Sequence, residues 1–213
     1  AICNYPWAAS FAGADGLTIA EKTDALYAHM ELWIALRTHY LDSSLQRYSQ
    51  TGINQVVILG AGLDTRSARI KRPDQKYYLV DHPASQADRQ ARIETHGSYP
   101  NETATTVPCD FEHQSFVDQL VAHGFDTSQP AVIVWEGVIY YLQEAAARHT
   151  LTQIASRLHP NSVLLFDYLS RRLVEAQQVS REDEALVEQL VGLGEPLKFG
   201  LNDPTPLLAD SGF

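Results

Sequence analysis

The sequence predicts an α/β fold, a parallel sheet covered by helices on both faces. Three observations carry that expectation. From residue 55 onward, five short β-branched or aromatic runs alternate with stretches of helical periodicity. The runs are apolar throughout rather than alternating, as strands buried on both faces must be. Four of them stop at or just before an acid: Asp81, Asp110, Glu136 and Asp167.

The elements follow in order. The first twenty residues are rich in small side chains and weakly periodic, which predicts irregular structure. From about Glu21 to Gln50, apolar residues recur at three- and four-residue steps: Leu26, Met30, Trp33, Ile34, Leu41, Leu45 and Tyr48. That stripe predicts one long helix, ended by Thr51-Gly52. Strands are predicted at 55–59, 76–80, 105–108, 131–135 and 162–166, with helices at about 84–96, 112–123, 143–158 and 171–191. The chain reads as one domain over 1–213: a helical segment at 1–50, a ligand-binding core at 51–170, and a cap at 171–213. The cap leaves the carboxyl edge of the sheet, where open α/β sheets bind ligands.

Composition bounds the rest. The 213 residues carry 26 acidic and 16 basic side chains, for a formal charge of −10. That balance argues against a nucleic-acid partner, whose phosphates require a basic surface. The longest apolar runs are about five residues, against roughly twenty for a membrane span. Two cysteines, Cys3 and Cys109, give no disulfide framework, and a reducing cytoplasm is expected. No metal-ligand spacing joins the eight scattered histidines. The chain starts at Ala1 and stops at Gly212-Phe213, and both ends look cut.

The chemistry concentrates around Gly60-Ala61-Gly62, which follows the first strand. Two glycines there allow a tight turn and a close backbone approach to a ligand. Asp81 follows Gly60 by 21 residues at the tip of the next strand, the place of an acid that accepts from ribose hydroxyls. Thr65 stands where the dinucleotide fingerprint has its third glycine, so an adenosine ligand without a diphosphate fits better, S-adenosylmethionine above all. A single acid at a strand end is as readily a helix cap. Four together favour a shared crevice. Arg37 lies on the apolar stripe of the long helix, where a guanidinium needs a partner. A ligand carboxylate is one candidate; an internal pair with Glu31 or Asp42 is the other. For catalysis the candidates are Glu136, Tyr140 and, because it adjoins Asp81, His82. Tyr141 is read as packing and Arg171-Arg172 as surface charge.

Gly60-Ala61-Gly62-Leu63-Asp64-Thr65-Arg66 resembles the signature of the leucine carboxyl methyltransferase family. That family includes bacterial polyketide carboxyl methyltransferases of the tetracenomycin type. Three further blocks are similar in order: Ala35-Leu36-Arg37-Thr38 with Asp42, Val80-Asp81-His82-Pro83, and Trp135-Glu136-Gly137-Val138-Ile139-Tyr140-Tyr141-Leu142. The resemblance implies a class I methyltransferase, Rossmann-like sheet using S-adenosyl-L-methionine. It implies Arg37 on the cofactor's carboxylate, Gly60 and Gly62 beneath the cofactor, and Asp64 turning the loop into its helix. Asp81 would take the ribose, Asp110 the adenine amino group with Phe111 against the ring, and Glu136 the methionine end or the acceptor mouth. The family's sheet continues past the fifth strand into an antiparallel pair, so this chain is expected to be a fragment lacking that pair. The expected function is O-methylation of a carboxylate or hydroxyl on a small molecule of secondary metabolism. The alternatives are a protein C-terminal carboxyl methyltransferase and a non-catalytic or nicotinamide-binding Rossmann domain.

Overall fold

The computed structural model describes residues 5–27, 29–70, 72–96, 99–100 and 104–213. Cys3 lies outside them. Five strands form one sheet: β1 (Gln55–Leu59), β2 (Lys76–Asp81), β3 (Thr105–Pro108), β4 (Ala131–Trp135) and β5 (Val163–Phe166). Their order is β3-β2-β1-β4-β5 and every pairing is parallel. The chain runs outward from β1 through β2 to β3, then returns to place β4 on the other side of β1. That reversal opens a crevice at the carboxyl ends of β1 and β4, where sheets of this kind bind ligands.

Nine α-helices surround the sheet among the described residues. They are α1 (Ala8–Leu26), α2 (Met30–Ser49), α3 (Arg66–Arg69), α4 (Pro83–Thr95), α5 (Phe116–Ala122), α6 (Glu144–Arg157), α7 (Arg171–Val174), α8 (Arg181–Gly192) and α9 (Thr205–Ser211). Alternate strand residues feed two cores, which is why the runs are apolar without alternation. Val57, Leu59, Ile133 and Trp135 pack with Phe116 of α5 and Leu151 of α6. Val56, Ile58, Val132 and Val134 pack on the other face with Leu45 of α2. On the first face, Leu207 of α9 joins the same core.

The expected strands are present, with β2 one residue longer and β5 one shorter than read. Three helical expectations need correction. Of the first twenty residues, 8–20 are not irregular but lie in α1, with a kink where Gly13 takes φ 68°, and the first four lie outside the described residues. Small residues made its apolar face faint. The long helix expected over 21–50 is two helices, because the backbone leaves helical geometry at Tyr27. The helix expected over 171–191 is also two, separated by Ala176 and Gln178 in the left-handed region. Ser180 starts α8 with a capping box to Asp183, a local signal strong enough to begin a new helix. Sequence patterns also missed α3, α9 and a 3₁₀ turn at Ile139–Tyr141, all too short for periodicity to register.

The β1 turn hangs from the end of β2, since Gly60 and Ala61 both donate to the Val80 carbonyl, at 2.8 and 3.1 Å. Gly60 has φ 68°, and a Cβ there would sit 2.3 Å from Val138 Cγ2. Gly62, at φ 42°, has open space around the same position. Gly60→Ala is therefore expected to cost about 2–4 kcal/mol through strain and clash together. Gly62→Ala should cost about 1 kcal/mol, from strain alone. Urea unfolding of the two variants checks the difference; equal losses would show that Val138 does not press on the turn.

Candidate functional site

Two cavities of about 830 and 800 Å³ meet at Arg37 and Gly60. The first runs along the carboxyl ends of β2 and β3 and is lined by Gly60, Asp81, His82, Asp110, Phe111 and Tyr140, among others. The second lies between α1, α2 and the glycine turn, with Gly62, Asp64 and Glu136 in its wall. The residues singled out from the sequence thus come together in one region, on two lobes.

At the β2 end, the Asp81 carboxylate is fixed by two backbone donors. Gly62 N–H reaches Oδ2 at 2.5 Å and His82 N–H reaches Oδ1 at 2.7 Å. A carboxylate offers about four acceptor positions, so two remain for a ligand. One strand over, Asp110 accepts from Glu112 N–H at 3.0 Å and pairs with His113 Nδ1 at 2.8 Å. The His113 bond, then that of Glu112, holds its carboxyl below the usual range. Phe111 is half-buried beside it, packed against the first core. His82 caps α4: its Nδ1 accepts from Ala84 N–H at 3.2 Å, which assigns the ring proton to Nε2.

At the β4 end stands an ion-pair relay. Arg37 lies between Glu136, at 2.8 Å from Nε, and Asp167, at 2.8 Å from Nη1. Its Nη1 also donates to the Tyr140 hydroxyl at 3.3 Å, and its guanidinium rests over the Trp33 ring, 4.7 Å from the centroid. The internal pair considered from sequence therefore exists, but with Glu136 and Asp167 in place of Glu31 or Asp42. Asp42 instead serves Arg66 and Arg69. Burial raises the Tyr140 hydroxyl's pKa and Asp167 adds to it, against the opposing pull of Arg37. Burial likewise raises Tyr141, to about 12, with Glu195 contributing.

Behind the relay is Arg66, which is 0% exposed. It meets three carboxylates: Asp42 at 2.6 Å from Nε, Glu136 at 2.6 Å from Nη2, and Asp64 at Nη1. Burial, the largest single influence, lowers its pKa, but Asp64, Glu136, Tyr5 and Asp42 together outweigh it and hold the guanidinium well above the ordinary value. Neither Arg66 nor Asp167 was read from sequence as a site residue. Arg66 stood inside the glycine-loop motif, and its signal was the nearby excess of acids. Asp167 was read only as one of four strand-end acids favouring a shared crevice, with no role of its own.

The far end of the first lobe is apolar. Leu142, Leu169, Leu173, Leu186 and Leu190 line it, with Glu195 and Lys198 as charged members. Helix α8 forms part of this wall and meets α1, where Gln189 Nε2 donates to Thr23 Oγ1 at 2.7 Å. Among the described residues, no group of three or more His, Cys, Asp or Glu side chains could hold a metal ion, and no helix is long and apolar enough to cross a membrane.

Residues 1–155 match the family model described as leucine carboxyl methyltransferase. The chain belongs to this family. A curated relative from Mycobacterium marinum is 31% identical over 180 residues, which is 83% of this chain and 56% of the relative. One from Mycobacteroides abscessus is 33% identical over 129 residues, 60% of this chain and 42% of the relative. Both bear the name "Putative S-adenosyl-L-methionine-dependent methyltransferase". The chain spans about half the length of the curated relatives it matches. Among solved structures, a DUF574 family protein from Streptomyces avermitilis superposes with TM-score 0.68 at 14% identity, covering 92% of this chain and 75% of that one. Mitomycin 7-O-methyltransferase superposes with TM-score 0.53 at 14% identity, covering 95% and 63%. These likenesses establish the fold, an α/β sheet of the class I methyltransferase type, of which the described residues form five parallel strands.

Within this family fold, Cys109 follows β3 directly and is fully buried at the crevice wall. Burial, then Asp110, pushes its thiol up to about 11. The reactive species is the thiolate, so Cys109 is expected to resist iodoacetamide at pH 8 in the folded protein. In urea it should be alkylated readily. Peptide mass spectrometry checks this, and rapid labelling of the native protein would mean that the wall opens.

Proposed function

We propose that the chain is the cofactor-binding part of an S-adenosylmethionine-dependent O-methyltransferase acting on a carboxylate or hydroxyl of a small molecule. The observation that carries this reading is the order of groups along the crevice. Asp110 and Phe111 at β3, Asp81 at β2, the glycine turn at β1 and Arg37 with Glu136 at β4 suit an adenine, a ribose and an amino-acid tail in turn. The fit rests on features of the chain itself. Asp81 keeps acceptor capacity for two hydroxyls, and Gly62 leaves its Cβ position open. S-adenosylmethionine, when bound, supplies an electrophilic methyl group on a sulfonium.

The chain's own residues then bind, orient and exclude water. Asp81 and Asp110 hold the nucleoside; Arg37 and Glu136 address the carboxylate and ammonium of the tail. The acceptor belongs in the apolar end of the first lobe, with its oxygen brought toward the junction at Arg37 and Gly60. None of the three catalytic candidates offers a free base there. Glu136 is committed to two arginines and to the ammonium of the tail, His82 Nδ1 is spent on a helix cap, and burial raises the pKa of the Tyr140 hydroxyl. A carboxylate needs no base, so it is the favoured acceptor group, with Lys198 in the lobe as its cation. Helix α8 and residues 193–198 would act as a lid, since they wall the acceptor end.

Two measurements test this. S-adenosylhomocysteine at about a hundredfold above Kd should raise the melting temperature by about 5–10 °C, and NAD should not. Asp81→Ala should reduce that rise to about 1 °C or less. A rise with NAD alone overturns the methyltransferase reading, and an unchanged rise in the variant overturns the place of Asp81. The second measurement uses trypsin, which can cut after Arg171, Arg172 and Arg181 around the two helices. S-adenosylhomocysteine should slow these cuts about threefold or more as the lid closes. Equal rates with and without ligand would make α8 a static wall.

A further inference from the structure

We propose that Arg66 is a positioning residue for the amino-acid end of the crevice. It sets the direction of Glu136 and, through Glu136, of Arg37, without touching the ligand. The inference rests on the cofactor reading above and concerns a residue that lines neither cavity. Its geometry is that of a bracket. Arg66 Nη2 takes Glu136 Oε2 at 2.6 Å, while Arg37 Nε takes the opposite oxygen, Oε1, at 2.8 Å. Both contacts are ion pairs rather than aligned hydrogen bonds, so Glu136 is held by a cation beside each oxygen.

Arg37 is fixed in turn. Asp167 Oδ2 holds Nη1 at 2.8 Å, and Asp167 Oδ1 accepts from Gly137 N–H at 2.7 Å, tying the pair to the strand that carries Glu136. Among the described residues, Arg37 Nη2 has no hydrogen-bond or ion-pair partner. It lies 3.9 Å from where a Cβ on Gly137 would sit, and both residues line the first cavity. That nitrogen, without an ion pair of its own, is the one we assign to a ligand carboxylate. Its position depends on a chain of contacts that begins at Asp42 and Arg66. A lysine in place of Arg66 keeps the charge but cannot present three donors in a planar fork. The bracket would lose a side while the local field stayed nearly the same.

The test compares two ligands by titration calorimetry: S-adenosylhomocysteine, and 5′-methylthioadenosine, which keeps the nucleoside but lacks the amino-acid tail. Arg66→Lys is expected to weaken S-adenosylhomocysteine about tenfold and leave 5′-methylthioadenosine within about twofold. A merely structural Arg66 would weaken both alike, and that result overturns the proposal, as does no change in either. If Arg66→Lys does not fold, Asp42→Asn loosens the same guanidinium from outside the cavities. It should produce a smaller selective loss, about threefold for S-adenosylhomocysteine alone; no selectivity in that variant overturns the proposal too. If the unaltered chain binds neither ligand, the cofactor reading itself fails, an outcome distinct from those above.

Discussion

One buried guanidinium ties together α2, the glycine turn and the end of β4. A fully enclosed arginine cannot shed its proton, and the effective penalty for removing such an ion from water is several kcal/mol. Carboxylates must come to it. Here they arrive from three separate segments: Asp42 from α2, Asp64 from the glycine turn and Glu136 from the end of β4. Asp64 also accepts from the Arg66 backbone N–H at 2.6 Å, and Arg69 shares Asp42 at 2.7 Å. The three segments cannot move independently without leaving a charge unpaired. Such an arrangement adds little net stability over an apolar core of equal volume; its effect is to fix which parts meet.

That constraint divides the crevice into a stiff side and a looser one. With Asp64 anchored, the glycine turn is held so that Gly62 N–H meets Asp81, and the turn packs through Gly60 against Val138 on the segment after β4. Asp81, the glycine turn, Glu136 and Arg37 therefore sit on one connected frame. The opposite wall is built differently. Helix α8 meets α1 through few contacts, among them the Gln189–Thr23 hydrogen bond, and follows a link with two residues in the left-handed region. A site that must exclude water and still release product needs this asymmetry.

The strands were legible because burial on both faces leaves no polar alternation to confuse the pattern, as in Val56-Val57-Ile58-Leu59 and Ala131-Val132-Ile133-Val134-Trp135. The acids at their tips were legible for a related reason: a polar group just past a buried run must lie at the sheet edge. Helices were less so. The stripe from Leu26 to Tyr48 is apolar, but Leu41 and Leu45 face the core while Trp33 and Ile34 line the cavities and remain partly exposed. Periodicity reports an apolar face and says nothing of what covers it, so two helices were joined into one. Arg66 was missed because its burial depends on partners brought from both sides of the sequence. No local window contains that fact.

The charge of −10 gains a location. In the relay, the carboxylates of Asp42, Asp64, Glu136 and Asp167 face the guanidiniums of Arg37, Arg66 and Arg69, four against three. Asp81 and Asp110 add two further carboxylates along the first lobe. The crevice thus carries a surplus of negative charge next to low-dielectric walls, where unit charges interact more strongly than in water. A surplus of that sign holds a sulfonium more tightly than the neutral thioether left after transfer. It also penalises an anion unless a cation accompanies it, and Lys198 supplies a positive charge in the lining of the first lobe.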